Sequence, residues 1–346
     1  MANFRINGHG HLLPEPNQIP AFMKQQNLFW IDDAKQNMFQ GNWSRPVSHP
    51  SFFLKEKLAW MEQNKIDHEV VLNLSQLYGN GLSQQTLKDV LHFQNDFNAS
   101  IQHENPKKFT TGFVVNPVYL EDALKETERC VKELNLRLMC LPTHFLDVDG
   151  KWKDITDDKV TPLFELVNQY KLAIEIHPYD GEKMIQLSNK NWRFHLIWML
   201  AQCADVYHFY TLKAMYQKYP NIRVCFAHAS QLSQINFGRR KQGFEGRPDL
   251  FEGMVHPKDA NGHPNIYFDT LIHDVDAFEL LVKRQTYKQI VAGLDDPYPL
   301  GEMDGINEGY PGSLLDMALD QEIISEQEYN AIWKENVERW LGKPIN

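Results

Sequence analysis

Short runs rich in β-branched and aromatic residues recur along the chain at about 3–9, 68–74, 110–115, 136–143, 172–177, 222–228, 265–270 and 289–294. Helical patterns fill most of the intervals, and such alternation marks parallel strands joined by helical crossovers. Eight strands of this kind predict an α/β fold that closes on itself, a (β/α)8 TIM barrel. A chain of 346 residues accommodates one barrel of roughly 250 residues plus insertions. Residues 1–346 are therefore read as a single domain.

The intervals carry their own start and stop signals. From Leu120 to Leu134, the side chains of Leu120, Ala123, Leu124, Cys130, Val131 and Leu134 fall on one apolar face of period 3.6, behind an acidic start that suits the helix dipole. Near the end, Ser325 and Glu328 form a capping-box pattern before a helix holding Ile332, Trp333, Val337 and Leu341, and Gly342 with Pro344 stops it. Residues 14–56, rich in Pro, Asn, Gln and aromatics, break the alternation and exceed an ordinary barrel connection. Because this insertion follows the first strand, it is expected to lie over the barrel mouth as a lid.

Charge and cysteine usage remove several classes of function. A net charge of −10 disfavours nucleic acid and anionic membrane as partners, since either needs a basic face. A small anionic ligand would have to be held by individual arginines. Cys130, Cys140, Cys203 and Cys225 include no CxxC pair, so they read as buried core thiols rather than a zinc ribbon or redox motif. The amino terminus lacks a secretory apolar run, and no stretch is apolar enough to suggest a membrane span. These features lead to the expectation of a cytoplasmic protein.

The chemistry-bearing residues concentrate at strand ends. His9 and His11 lie one residue apart, and the two-residue period turns both imidazoles to the same side. His177, His228 and Asp295 close three later strands, and a barrel delivers the carboxyl ends of all its strands to one face. Three neutral imidazoles and a carboxylate suit zinc, with a position left for a water whose pKa the metal lowers from about 15.7 to about 7. His9, His11, His177 and Asp295 are the expected ligands. His228 is the expected acid/base, because imidazole accepts and returns protons near neutral pH. Asp296 rivals Asp295, although a continuing strand would turn it the other way. Glu175 is an additional carboxylate on the same side of its strand as His177.

With these residues in place, the chain resembles the amidohydrolase superfamily, and within it the decarboxylase branch acting on 2-amino-3-carboxymuconate-6-semialdehyde. The likeness is carried by NGHGHLLPE near the start, ERCVKEL at 128–134, IHPYD at 176–180, YPNIRVCFAH at 219–228, GRPDL at 246–250, FDTLIHDVDA at 268–277 and DPYPLGE at 296–302. The resemblance implies one zinc ion on the HxH pair, His177 and Asp295, with His228 assisting. It also implies two arginines for the substrate carboxylate, Arg45 in the insertion and Arg239 in a Gly-Arg pair, and aromatic pocket walls at Trp192 and Tyr298. In the family the second arginine reaches a neighbouring subunit's site, which implies a homodimer. The chain departs from the pattern where Ala229, Ser230 and Gln231 follow His228 in place of small glycines. Leu294 and Asp296 flank Asp295 where the family favours a hydroxyl residue and a tyrosine, and Tyr179 stands where a tryptophan is common.

The implied activity is non-oxidative decarboxylation of a small unsaturated or aromatic acid, that semialdehyde or a close analogue. Hydroxide prepared by zinc and His228 would add to an unsaturated carbon, and loss of carbon dioxide would restore conjugation. A zinc-dependent hydrolase of an amide or lactone would use the same parts on a carbonyl. A metal-binding sensor without turnover is the third reading. No trusted Gly-rich nucleotide fingerprint follows a strand, so no organic cofactor is expected.

Overall fold

The structure of the protein, a computed structural model, describes residues 4–179 and 188–345. Residue 3 of the first expected strand and Asp180 of the IHPYD motif lie outside the described residues. Eight strands form one sheet: Ile6–Gly10 (β1), His68–Val71 (β2), Phe109–Val114 (β3), Leu138–Pro142 (β4), Ala173–His177 (β5), Arg223–Phe226 (β6), Ile266–Asp269 (β7) and Ile290–Val291 (β8). They are hydrogen-bonded in chain order and every neighbouring pair is parallel. This is the expected barrel, with every strand but β3 shorter than its sequence run.

Closure happens beyond the end of β8, where the backbone leaves the regular ladder yet still bonds to β1. Gly8 N–H donates to Ala292 O at 2.7 Å and His11 N–H to Asp296 O at 3.0 Å, and a parallel bridge joins Gly10 to Asp296. A side chain at Gly8 would have its Cβ 2.7 Å from Ala292 O, so the seam needs glycine there.

Strand alternation divides the core into two layers. Ile174 and Ile176 of β5 point outward with Met139, Leu141, Val224, Phe226 and Phe268, packing against the helices. Ala173, Leu138, Cys140, Cys225 and Val291 belong to a second cluster, which the last helix completes with Val337, Trp340 and Leu341. Each fully buried aliphatic side chain of these layers contributes roughly 2 kcal/mol. All four cysteines are buried and free. The Leu120–Lys132 helix forms as its periodicity dictates, burying Ala123, Cys130 and Val131. At the carboxyl end the Ser325–Glu328 capping box is present, and Gly342 takes the left-handed conformation at φ 71°.

The 14–56 insertion folds into a short helix, Ala21–Gln25, and an antiparallel sheet of Trp30–Asp32, Asn37–Gln40 and Trp43–Pro46. Met23, Phe29, Ile31 and Met38 pack with Leu74, Leu77 and Tyr298 of the loops beyond β2 and β8. That contact fixes the insertion against the carboxyl-terminal face of the barrel. Among the described residues, no helix is long and apolar enough to cross a membrane.

Candidate active site

The end of β1 brings His9 and His11 to the interior with ring centroids 5.2 Å apart, 2% and 3% exposed. Each is held by its Nδ1. His9 Nδ1 pairs with Asp269 Oδ2 at 2.9 Å, and His11 Nδ1 lies 3.1 Å from Leu72 O. His177, the last residue of β5, places Nδ1 2.8 Å from Pro178 O. A carbonyl oxygen only accepts, so Nδ1 of His11 and His177 carries the proton and leaves the Nε2 lone pair free.

Ring nitrogens of all three histidines converge. Donor atoms of His9, His11 and His177 all lie within 4.8 Å of one another, and His9 Nε2 is buried with no hydrogen-bond partner. Asp295 Oδ1 stands 3.1 Å from His11 Nε2 and 3.9 Å from His9 Nε2. Imidazoles anchored at Nδ1 with a carboxylate beside their Nε2 atoms fit a divalent cation, and an orphaned buried nitrogen is what such an ion would satisfy.

Electrostatics at the cluster point the same way. Burial disfavours the charged form of His9, but the Asp269 hydrogen bond and the charges of Asp295, Asp269 and Glu175 outweigh it and push His9 up to about 9. Burial also works against the Asp295 carboxylate, yet the His11 hydrogen bond and the surrounding imidazoles hold it well below the usual range. The pocket base therefore calls for positive charge at its centre.

His228 completes the group, with Nε2 3.3 Å from His177 Nε2. Burial pushes it down to about 4, leaving its ring neutral. His228, Ala229 and Ser230 have φ of 52°, 53° and 43°, so three consecutive residues occupy the left-handed region. Asp269 stabilises this turn by accepting from His228 N–H at 2.9 Å and Ala229 N–H at 2.8 Å. The aspartate that ends β7 thus fixes both the His9 ring and the His228 backbone. The sequence reading did not single it out, although the rule that selected Asp295, a carboxylate at a strand's carboxyl end, applies equally to it.

Above the histidines lies a cavity of about 180 Å³, lined by His11, His177, His228, Asp295, Arg45, Trp192 and Tyr298 together with apolar side chains such as Leu271. Arg45, delivered by the last strand of the insertion, sits with Cζ 4.0 Å over the Tyr298 ring. Its Nε donates to Met38 Sδ at 3.3 Å, while Nη2 is buried without a hydrogen-bond partner. Trp192 stands 5.2 Å from the His195 ring and is 37% exposed. Gln231 lines the same wall with Nε2 donating to Leu271 O at 2.8 Å.

Arg239 is not among the residues of this cavity. It is exposed on the Phe237–Gly246 helix. Its neighbour Arg240 is buried, donating from Nε to His208 Nδ1 at 3.0 Å and from Nη2 to Thr211 Oγ1 at 2.8 Å. The two adjacent arginines thus have different settings, Arg240 in the interior and Arg239 in solvent.

The two adjacent aspartates also separate. Asp296 is fully buried and turned away from the cavity, bonded to Asn7 Nδ2 at 2.5 Å and to Lys57 Nζ. Glu175 is 1% exposed on the inner face of β5, and both its oxygens lack a hydrogen-bond partner. Burial pushes its carboxyl up to about 8.

Known proteins resemble the chain in sequence and in fold. Over 351 aligned positions the chain is 26% identical to 2-amino-3-carboxymuconate-6-semialdehyde decarboxylase of Dictyostelium discoideum, covering 97% of this chain and 89% of that protein. The structure of 5-carboxyvanillate decarboxylase from Novosphingobium aromaticivorans, with bound manganese, superposes with a TM-score of 0.77 at 14% identity, covering 98% of this chain and 97% of that one. The 2,6-dihydroxybenzoate decarboxylase of Rhizobium does so with a TM-score of 0.73 at 12% identity, covering 98% of each. At such identities the superpositions establish the fold alone. The Amidohydrolase family model matches residues 65–343, a span that contains His177, His228, Asp269 and Asp295, and the chain belongs to that family.

Proposed function

We propose that the protein is a metal-dependent carboxy-lyase that removes carbon dioxide from a small unsaturated or aromatic acid. Its substrate in this reading is 2-amino-3-carboxymuconate-6-semialdehyde or a close analogue. The observation that carries the proposal is the pairing of a converging His9, His11, His177 and Asp295 cluster with Arg45, whose buried Nη2 lacks a partner in the same cavity. A buried guanidinium nitrogen without a partner is costly, and a carboxylate ligand relieves that cost with a planar, charge-assisted contact. The names of the relatives, all decarboxylases of carboxylated substrates, support the same reaction.

The four converging side chains would hold zinc, and the ion would supply Lewis acidity that polarises the oxygens of water or substrate. Arg45 grips the carboxylate, with the Tyr298 ring beneath it keeping the guanidinium in plane. His228 takes a proton at Nε2 from the water that adds to an unsaturated carbon, then returns it to the carbon bearing the carboxylate. The bond to that carboxylate breaks, carbon dioxide leaves, and the freed electron pair re-forms the double bond as the added hydroxide departs, so conjugation is restored with the proton retained on carbon. Trp192 and the apolar walls keep bulk water from the reacting carbon. The 14–56 insertion acts as a lid that carries Arg45, and Arg239 of a second copy supplies another cation in a homodimer. In the direct test, zinc-loaded protein consumes the semialdehyde and the chelated protein does not. Equal turnover after complete metal removal would refute the reading.

A further inference from the structure

Lys57, in the Leu54–Gln63 helix, has no solvent exposure and no part in the chemistry described above. Its ammonium donates to Asp296 Oδ2 and to the backbone oxygen of His11 at 3.2 Å, and it forms an ion pair with Glu69 Oε1 at 2.7 Å. Two of these belong to opposite sides of the barrel seam. His11 ends the β1 segment that presents the HxH pair, and Asp296 adjoins Asp295.

The same seam is bridged by Asn7. Its Oδ1 accepts from His9 N–H at 3.1 Å and Leu294 N–H at 3.0 Å, while its Nδ2 donates to Asp296 at 2.5 Å. Backbone bonds complete the connection, with His9 O accepting from Asp295 N–H at 2.7 Å. Gly10, between the two histidines, makes room for this network, because a Cβ there would lie 2.5 Å from Glu69 Oε1 and 2.7 Å from Asn7 Nδ2.

We propose that Lys57 is a positioning residue for the metal centre: its ammonium clasps the end of β1 to Asp296 and so holds Asp295 in register with His9 and His11. This inference rests on the metal-dependent reading above and goes beyond it by giving the ligand set a buried scaffold. Removing the ammonium leaves the Asp296 and Glu69 carboxylates together in the interior without their cation, and the seam relaxes to hydrate or separate them.

Cobalt binding to the metal-free protein, followed by its electronic absorption and by competition with a chelator, tests the clasp without substrate. Lys57→Met is expected to bind cobalt at least about tenfold more weakly than the parent, the range seen when groups supporting metal ligands are lost, with an altered visible spectrum. In Lys57→Met/Asp296→Asn one uncompensated carboxylate is gone. The melting temperature of the metal-free protein then recovers toward the parent, whereas cobalt affinity stays weak. Asp296→Asn alone serves if Lys57→Met does not fold, and it too is expected to weaken binding and alter the spectrum. Parental affinity and spectrum in any folded variant of the three would overturn the clasp. A parent that binds no cobalt would overturn both the clasp and the metal-dependent reading. A parent that binds cobalt but never decarboxylates would overturn the proposed reaction alone.

Discussion

Asp269 shows how much a single side chain can organise without lining the cavity. One of its oxygens meets His9 Nδ1 and the His228 amide, and the other meets the Ala229 amide. Asp269→Asn presents an amide that can donate to His9 Nδ1, which moves the ring proton to Nε2 and blocks the lone pair needed for a metal. Metal affinity measured by titration is expected to fall about 10- to 100-fold. An unchanged affinity would remove Asp269 from this role. His9, His11, His177, His228 and Asp295 were legible because strand periodicity and barrel geometry carry them to one face. Asp269 was less legible because its effect passes through a ring nitrogen and two backbone amides. Lys57 was hidden altogether, since a lysine on a helix ordinarily reads as a solvated residue.

At the scale of elements, the turn after β6 is where this chain works against its own backbone preferences. His228, Ala229 and Ser230 all have positive φ, and none is a glycine. For ordinary residues that region costs roughly 1–2 kcal/mol each. Ala229→Gly is therefore expected to raise the unfolding free energy by about 1 kcal/mol, read from chemical denaturation of the metal-free protein. A loss of stability would mean that the Ala229 methyl, fully buried in the core, outweighs the backbone relief. The regular elements were easier to foresee than this turn. Eight β-rich runs, the Leu120–Lys132 helix and the Ser325 capping box all appear where periodicity and caps place them. The insertion's sheet was not foreseen, because strands of three and four residues such as Trp30–Asp32 and Asn37–Gln40 are too short to show an alternation.

For the whole molecule, the barrel is the part most directly readable from the sequence, since alternating strands and crossovers admit few other closures. What a neighbouring copy contributes is written in no single chain's periodicity. Arg239 is exposed and away from its own cavity, and in the proposed homodimer it would act at the second copy's site. If two copies share sites, mixing inactive His228→Ala and Arg239→Ala proteins under exchange conditions restores up to about a quarter of parental turnover, because half the dimers are mixed and each mixed dimer holds one intact site. No recovery despite demonstrated exchange would confine Arg239 to its own chain or to solvent. The central claim is the breaking of a carbon–carboxylate bond with His228 handling the proton. Its most direct measurement follows labelled carbon dioxide from carboxyl-labelled 2-amino-3-carboxymuconate-6-semialdehyde, using parent and His228→Ala proteins of equal metal content. Stoichiometric label release by the parent and almost none by the variant is the predicted result; full release by His228→Ala, or substrate loss without labelled carbon dioxide from the parent, would contradict it.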